Sequence, residues 1–446
     1  MKKISVLFAA MLIAQGVGAQ KAWTLDECLN YALEHNITLQ KARLSAKSAA
    51  EDVKGARADL LPSVSASTNQ SFGYRPWQDS GTTTVTNGQV NSKVDKSYYN
   101  GSYGINAQWT VWNGNKNRNT LKQNKMSAEQ AELEAQTTAN SIQEQIAQLY
   151  VQILYLTEAV KVSEQSLETS KKNEERGQQM LEVGKMSKAD VAQLSAQRAT
   201  DEYSIVEARA NISKYKLQLK QLLELDGNTY FEVAIPATSD DQALADIPAL
   251  QQVYEKAMAS RPEIASSQLA AQSSDLSVKM SRAGNLPTLT MTAGLGTSTN
   301  SLSNNTWGSQ LKTNFDASAG FTLSIPLFDK RQTKTSVNKA RIQQQQALLN
   351  LQDQQKQLYQ TIEGYWLDAE TNQQKFRAAL ATEQSEQQSF DLLQEQFNLG
   401  LKNIVELMTG KDKLLSAQQN KLQSKYQTIL AHQMLKFYGG DAKIEN

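Results

Sequence analysis

The chain has 446 residues, 40% of them hydrophobic and 20% charged, with a formal net charge of +1. That balance gives no global attraction to nucleic acid or to an anionic membrane, and by itself it would be read as two or three soluble domains. The single cysteine, Cys28, excludes an internal disulfide and reads as a small buried residue of the first helix.

The first residues stand apart from the rest. Lys2 and Lys3 precede an apolar run from Ile4 to Ile13, and Val17-Gly18-Ala19 ends the segment with small residues, the pattern of a secretory signal peptide over residues 1–19. The apolar run is too short for a bilayer-spanning anchor. Loss of this leader takes the formal charge from +1 to −1. Beyond it no stretch approaches the length of a transmembrane helix, so an exported chain that stayed in a membrane would do so as a β-barrel.

The remaining sequence is written twice. Residues 33–62 align without gaps to 258–287, an offset of 225, and both segments end in Leu-Pro before an alternating stretch. Farther on, Val111-Trp112-Asn113 matches Leu327-Phe328-Asp329, and Val183-Gly184-Lys185 matches Leu399-Gly400-Leu401, both at an offset of 216. The difference places a nine-residue insertion between Pro62 and Trp112. Each half reads as helix, β-hairpin, long helix, turn and helix. The first repeat covers 20–225, a linker 226–250, the second repeat 251–438 and a short tail 439–446.

The alternating segments predict four strands. Val64 to Tyr74 is the weakest. Tyr99, Tyr103, Ile105, Ala107, Trp109 and Val111 share one face against Ser102, Gly104, Asn106, Gln108 and Thr110. Leu289, Met291, Ala293 and Leu295 oppose Thr288, Thr290, Thr292 and Gly294; Phe315 to Leu327 repeats the pattern. Alternation over about ten residues with aromatics at the ends is the pattern of a transmembrane barrel, although a half-buried sheet of a soluble domain alternates as well. Four strands cannot close a barrel, for which about eight is the smallest common number, so insertion requires two or more copies. Residues 77–97 and 297–314 read as exposed loops.

No proline falls between Pro76 and Pro236 or after Pro326, which permits long helices over 115–183 and 330–399, each roughly 105 Å at 1.5 Å per residue. Ile142, Ile146, Leu149, Ile153, Leu156, Val160 and Leu167 keep a coiled-coil rhythm, as do Leu348, Leu351, Leu358, Ile362, Tyr365, Ala369, Phe376 and Ala379. Shorter helices over 24–60 and 187–225 together match one long helix in length. The predicted fold class is mixed α and β, with long α-helical coiled coils, four β-strands per chain and two internal structural repeats.

These elements resemble the TolC-type outer-membrane channel family of multidrug efflux and type I secretion. The resemblance rests on the opening WTLDECLNYALEHN, the helix-to-strand joints ARADLLPSVSAS and RAGNLPTLTMTAG, the strand-to-helix joints VWNGNKNRNTLKQNKMSAEQA and PLFDKRQTKTSVNKARIQQQQA, and the turns VGKMSKADVAQLSAQ and LGLKNIVELMTGKDKL. It implies a homotrimer with a twelve-stranded barrel in outer-membrane lipid, continuous with a periplasmic helical tunnel. The implied partners are a periplasmic adaptor (membrane fusion) protein and an inner-membrane transporter, and the implied function is an exit duct to the exterior.

By position, the resemblance makes Asp190, Lys402 and Glu406 candidates for a periplasmic gate, with Phe397 where some relatives carry a tyrosine hydroxyl and Thr409 where a second acidic ring can occur. Crowding of three Glu406 carboxylates would raise their proton affinity. Val183, Gly184, Lys185, Leu399, Gly400 and Leu401 become candidates for adaptor contact. The bland reading of Asp190 and Glu406 is helix capping, because Ser187 and Asn403 precede them by three residues. Gly184 and Gly400 read equally as ordinary helix C-termini. Trp109, Trp112 and Phe328 are candidates for a membrane-interface belt, and burial against neighbouring helices would give the same pattern.

Enzymatic chemistry has little material. His35 and His432 lie at opposite ends of the chain without ligand spacing, and no phosphate-binding glycine loop is present. No catalytic residue, cofactor or metal site is expected, and no nucleic-acid partner. A periplasmic coiled-coil scaffold that does not conduct is the alternative, and it gives no reason for four amphipathic strands.

Overall fold

The structure, a computed structural model, describes residues 22–78, 80–85, 88–93, 95–303 and 305–440, with backbone alone over 80–93. The leader expected at 1–19 and residues 441–446 of the expected tail lie outside the described residues. The first repeat contains α1 (Leu25–His35), α2 (Ile37–Ala58), β1 (Ser63–Tyr74), β2 (Ser80–Val85), β3 (Gly88–Lys93), β4 (Ser97–Trp112), α3 (Lys116–Glu182) and α4 (Lys188–Leu222). There follow α5 (Asp240–Leu244), α6 (Leu250–Ser260), α7 (Pro262–Arg282), β5 (Thr288–Asn300), α8 (Trp307–Thr313), β6 (Asp316–Ser324), α9 (Gln332–Asn398) and α10 (Ile404–Tyr438). Among the described residues no helix is long and apolar enough to cross a membrane.

The helices and strands fall into two compact units, one formed by 22–43, 134–264 and 354–440, the other by 44–133 and 265–353. In the first, the coiled-coil rhythm becomes the core. Ile142, Ile146 and Ile153 of α3 and Leu358, Ile362 and Ala369 of α9 are buried with Leu25, Leu29 and Ala32 of α1, Leu219 of α4 and Met434 and Leu435 of α10. Asn372, a polar residue in the rhythm between Ala369 and Phe376, is buried as well, and its amide nitrogen donates to the Asp368 carbonyl at 2.8 Å, so the helix satisfies it internally. Cys28 is fully buried, and burial pushes its thiol up to about 12.

The linker is fastened to this core. Trp23 N–H donates to the Glu232 carbonyl at 2.7 Å, and Ala234 N–H donates to the Trp23 carbonyl at 2.8 Å. Gln373 Nε2 donates to the Ala245 carbonyl at 2.8 Å, Trp366 Nε1 to the Pro248 carbonyl at 3.1 Å and Lys425 Nζ to the Thr238 carbonyl at 2.8 Å. A segment without long regular structure is thus held through its backbone carbonyls.

The predicted helix over 24–60 is interrupted. Asn36 is extended (φ −61°, ψ 123°), and its side chain restarts the chain as α2: Oδ1 accepts Leu39 N–H at 3.1 Å, while Nδ2 donates to the Leu222 carbonyl at 2.9 Å. The equivalent interruption in the second repeat falls at Arg261, 225 residues on, where Pro262 disfavours a helical conformation in the residue before it. The proline announces one break; the first repeat reaches the same geometry through a capping asparagine.

In the second unit β1, β4, β5 and β6 form one antiparallel sheet in that order. The register brings like to like across it. Ala66 faces Ile105, Ile105 faces Leu295 and Leu295 faces Ala317; one step along, Ala107, Ala293 and Ala319 are aligned. The alternate positions align Ser65, Asn106, Gly294 and Ser318. One face is therefore apolar across all four strands and the other small and polar. Three expectations need correction. Residues 77–97 contain the hairpin β2–β3 rather than loop alone, and 297–314 contain the end of β5 and α8. The last strand stops at Ser324, because Pro326 has no N–H to continue a ladder.

Candidate functional site

The two helical turns in the first unit share one geometry. In the turn after α3, Lys185 N–H donates to the Met180 carbonyl at 2.8 Å and Gly184 N–H to the Leu181 carbonyl at 3.0 Å. After α9, Leu401 N–H donates to the Gln396 carbonyl at 2.9 Å and Gly400 N–H to the Phe397 carbonyl at 3.0 Å. Gly184 (φ 74°) and Gly400 (φ 75°) take the left-handed conformation that this paired closure needs. The turns are apolar and open to solvent: Val183 is 68% exposed, Leu399 75% and Leu401 71%, and Lys185 is exposed beside them.

Each returning helix starts with a reciprocal cap. Asp190 N–H donates to Ser187 Oγ at 3.1 Å while Ser187 N–H donates back to the Asp190 carboxylate at 3.3 Å. Glu406 N–H donates to Asn403 Oδ1 at 2.9 Å and Asn403 N–H to Glu406 Oε2 at 3.2 Å. Both carboxylates are capping residues in the structure, as their spacing predicts. They differ in their other partner. Asp190 accepts from the Ser187 hydroxyl at 2.8 Å, whereas Glu406 Oε1 lies 2.6 Å from Lys402 Nζ. The Lys402 hydrogen bond, reinforced by the Asn403 N–H, holds the Glu406 carboxyl below the usual range. Within one chain its neighbours therefore lower proton affinity, the reverse of the effect expected from crowding.

Phe397 is not at the rim. It is 4% exposed and packs with Leu194, Phe390, Ile404, Leu407 and Leu414 beneath the turns. Two glycines bring helices close there. A Cβ on Gly177 of α3 would lie 2.5 Å from Leu194 Cδ1, and one on Gly410 of α10 would lie 2.6 Å from Leu393 Cδ1.

Sequence reasoning missed a buried polar cluster in the same region. Ser170 of α3, Asp201 of α4 and Lys411 of α10 are 3%, 7% and 4% exposed. Lys411 Nζ donates to Asp201 Oδ2 at 2.5 Å and to Ser170 Oγ at 2.9 Å, and Ser170 Oγ donates to Asp201 Oδ2 at 2.6 Å. Gln197 Nε2 serves the other oxygen, Oδ1, at 3.1 Å. The missed signal was periodic: Lys411 falls between Leu407 and Leu414, and Asp201 between Leu194 and Ile205, where the rhythm calls for apolar residues.

In the second unit the apolar sheet face is uncovered. Val64 is 68% exposed, Phe321 70% and Leu323 60%, and every residue of β6 is exposed. Among the described residues, neither β1 nor β6 has a strand on its outer edge. A bulge between Thr110 and Trp112 pairs Trp112 with Leu289, two positions from the Trp109–Met291 pair on the same face; a regular strand would put residues three apart on opposite faces. Trp109 Nε1 donates to the Leu60 carbonyl at 2.9 Å, so the indole also closes the end of the preceding helical segment. Phe328 is 85% exposed just beyond β6.

The strand-to-helix joints repeat too. Gly114 and Asn115 have positive φ, as do Lys330 and Arg331 at the equivalent positions. Asn117 N–H donates to Asn113 Oδ1 at 3.3 Å, and Thr333 N–H donates to Asp329 Oδ2 at 2.8 Å. Among the described residues no cluster of His, Cys, Asp and Glu is placed to hold a metal ion.

A family model described as outer membrane efflux protein matches residues 28–224 and 253–441. The chain is 22% identical over 434 residues to the outer membrane efflux protein BepC of Brucella suis, covering 96% of this chain and 89% of the relative. It is 23% identical over 442 residues to the outer membrane protein TolC of Escherichia coli, covering 96% and 85%. The fold matches that of the Campylobacter jejuni CmeC outer membrane channel with a TM-score of 0.79 at 20% identity, covering 95% of this chain and 87% of that one. The chain belongs to the outer membrane efflux protein family, as a transport protein of the outer membrane and not an enzyme.

Proposed function

We propose that the chain forms the exit duct of a tripartite efflux pump or a type I secretion system, assembled as a homotrimer. The observation that carries this reading is the sheet: four strands, an apolar face left in solvent and, among the described residues, two edges without partners. An uncovered apolar face of this extent needs lipid, and unpaired edges in lipid need other strands. Four strands per copy give twelve from three copies, enough to enclose a water-filled passage. Ser65, Asn106, Gly294 and Ser318 would then line the lumen. Trp109, Trp112 and Phe328 would lie at the periplasmic edge of the lipid, near the joints to the helices.

The helical unit would extend into the periplasm and end in the two turns. There Val183, Gly184, Lys185, Leu399, Gly400 and Leu401 offer an apolar, solvent-exposed surface to a periplasmic adaptor, through which an inner-membrane transporter supplies the energy. Asp190, Lys402 and Glu406 would stand around the constriction at this end. Phe397 supports them from the core. Purified protein inserted into planar bilayers should give discrete channels, with a trimer mass on the same sample. A folded monomer that stays soluble without detergent and never conducts would reject the duct.

A further inference from the structure

We propose that Ser170, Asp201 and Lys411 form a buried latch that sets whether the tip is closed. This rests on the reading of the tip as the constriction of a duct. The three residues belong to three helices, and the pair Asp201–Lys411 joins the returning helix of the first hairpin, α4, to the returning helix of the second, α10. They lie about 12 to 21 Å along their helices from the tip turns, counted at 1.5 Å per residue. The latch is therefore set back from the rim and separate from the half-buried Lys402–Glu406 pair.

The chemistry makes the arrangement all or none. Both oxygens of Asp201 are served, and Ser170 accepts from Lys411 while donating to Asp201, so the three groups close a cycle. Separating α4 from α10 by a small distance would part a carboxylate from an ammonium beside Leu194, Leu407 and Met408, with Ser170 and Gln197 replacing only part of what Asp201 loses and Asp412, 4.0 Å from Lys411 Nζ, only part of what Lys411 loses. Two arrangements avoid this: the pair made and dry, or the helices apart and both ions hydrated. An element with two allowed positions and none between them is what a gate requires. A cavity of about 10 Å³ adjoins Lys411, with Asn173 and Gln197 on its wall, which is room for a first water.

The latch also breaks the internal symmetry. The positions equivalent to Ser170, Asp201 and Lys411 at the 216-residue offset are Glu386, Ala417 and Ser195. The second copy of the motif therefore has no ion pair to make. Each chain carries one latch, between its two hairpins.

The test is single-channel conductance of the full-length trimer in planar bilayers, with trypsin cleavage at Lys185 and Lys402 as a second readout. Asp201→Asn keeps the size of the side chain and removes its charge. It should raise conductance several-fold and speed cleavage in both turns, with trimer mass unchanged. The exchange Asp201→Lys with Lys411→Asp should return both readouts toward the parent protein, which a purely structural loss would not do. Asp201→Asn trimers that conduct and resist trypsin as the parent does would overturn the latch and leave the duct standing. Failure of both the parent and the Asp201→Asn trimers to conduct would overturn both.

Discussion

The two helical hairpins, α3–α4 and α9–α10, follow the same backbone rules and fill their interiors differently. Both close through a glycine with positive φ and both restart with a reciprocal cap three residues long. Yet where the first has a glycine on its long helix against a leucine on its short one, Gly177 against Leu194, the second has Leu393 against Gly410. These are equivalent positions with large and small exchanged. Duplication preserved the turns, where φ and capping allow few substitutes, while the interior kept only its total volume. The polar cluster went further, since it exists in one arrangement only.

The largest expected effect breaks that difference directly. Lys411→Ala leaves Asp201 buried without its cation and should cost about 3–5 kcal/mol in the helical unit, read as a fall in thermal stability. The equivalent change in the other hairpin, Ser195→Ala, removes a partly exposed hydroxyl from Glu174 and should cost no more than about 1 kcal/mol. Comparable losses in the two variants would mean that Asp201 rehydrates without difficulty.

Next comes the exchange of large and small. Gly177→Leu alone should cost about 1–3 kcal/mol through overpacking against Leu194. Adding Leu194→Gly reproduces the order found in the second hairpin and should recover most of the loss. Failure to recover would show that the pairs are not interchangeable and that the comparison holds only for the turns.

Smaller effects should be equal in the two hairpins. Ser187→Ala and Asn403→Ala each remove a cap worth about 1 kcal/mol. Gly184→Ala and Gly400→Ala meet no atom within 4 Å, so any loss is backbone strain alone, and denaturation midpoints should shift by the same amount in each. Unequal shifts would show that the turns have diverged as well.

The smallest effect concerns pH. Glu406 has a folded-state pKa below its unfolded value, so its contribution is present above the unfolded pKa and lost as pH falls through the folded one. The acid side of a stability profile should soften slightly in Lys402→Ala, which removes the main cause of the shift, and not in Lys185→Ala.

How much of this was written in the sequence differs by region. The long helices ended within a few residues of their predicted bounds because proline and glycine mark those ends explicitly. The two faces of each strand were legible as alternation, down to the apolar side that carries Ile105, Leu295 and Ala317, whereas the pairing of β4 with β5 was not. What escaped notice depends on partners distant in the chain. Asn36 breaks a helix because Leu222 offers a carbonyl, Trp112 changes face because a bulge precedes it, and Lys411 is tolerated in a core position because Asp201 and Ser170 meet it. Leu348 kept the coiled-coil rhythm and is nevertheless 49% exposed, since rhythm alone does not supply a partner helix. In the site, spacing identified the capping role of Asp190 and Glu406, whereas the inward position of Phe397 required the packing of five other side chains.

A duct of this kind requires strands from different copies to close one barrel, and disulfide cross-linking tests that directly. One cysteine would be placed on β1, at Ser65, Ala66 or Ser67, and one on β6, at Ala317, Ser318 or Ala319, in every combination. The native Cys28 is buried with a raised pKa and should not interfere. Mild oxidation of the membrane-inserted protein should join chains into covalent trimers for at least one combination. Monomers in every combination, from protein that is folded and inserted, would contradict a shared barrel.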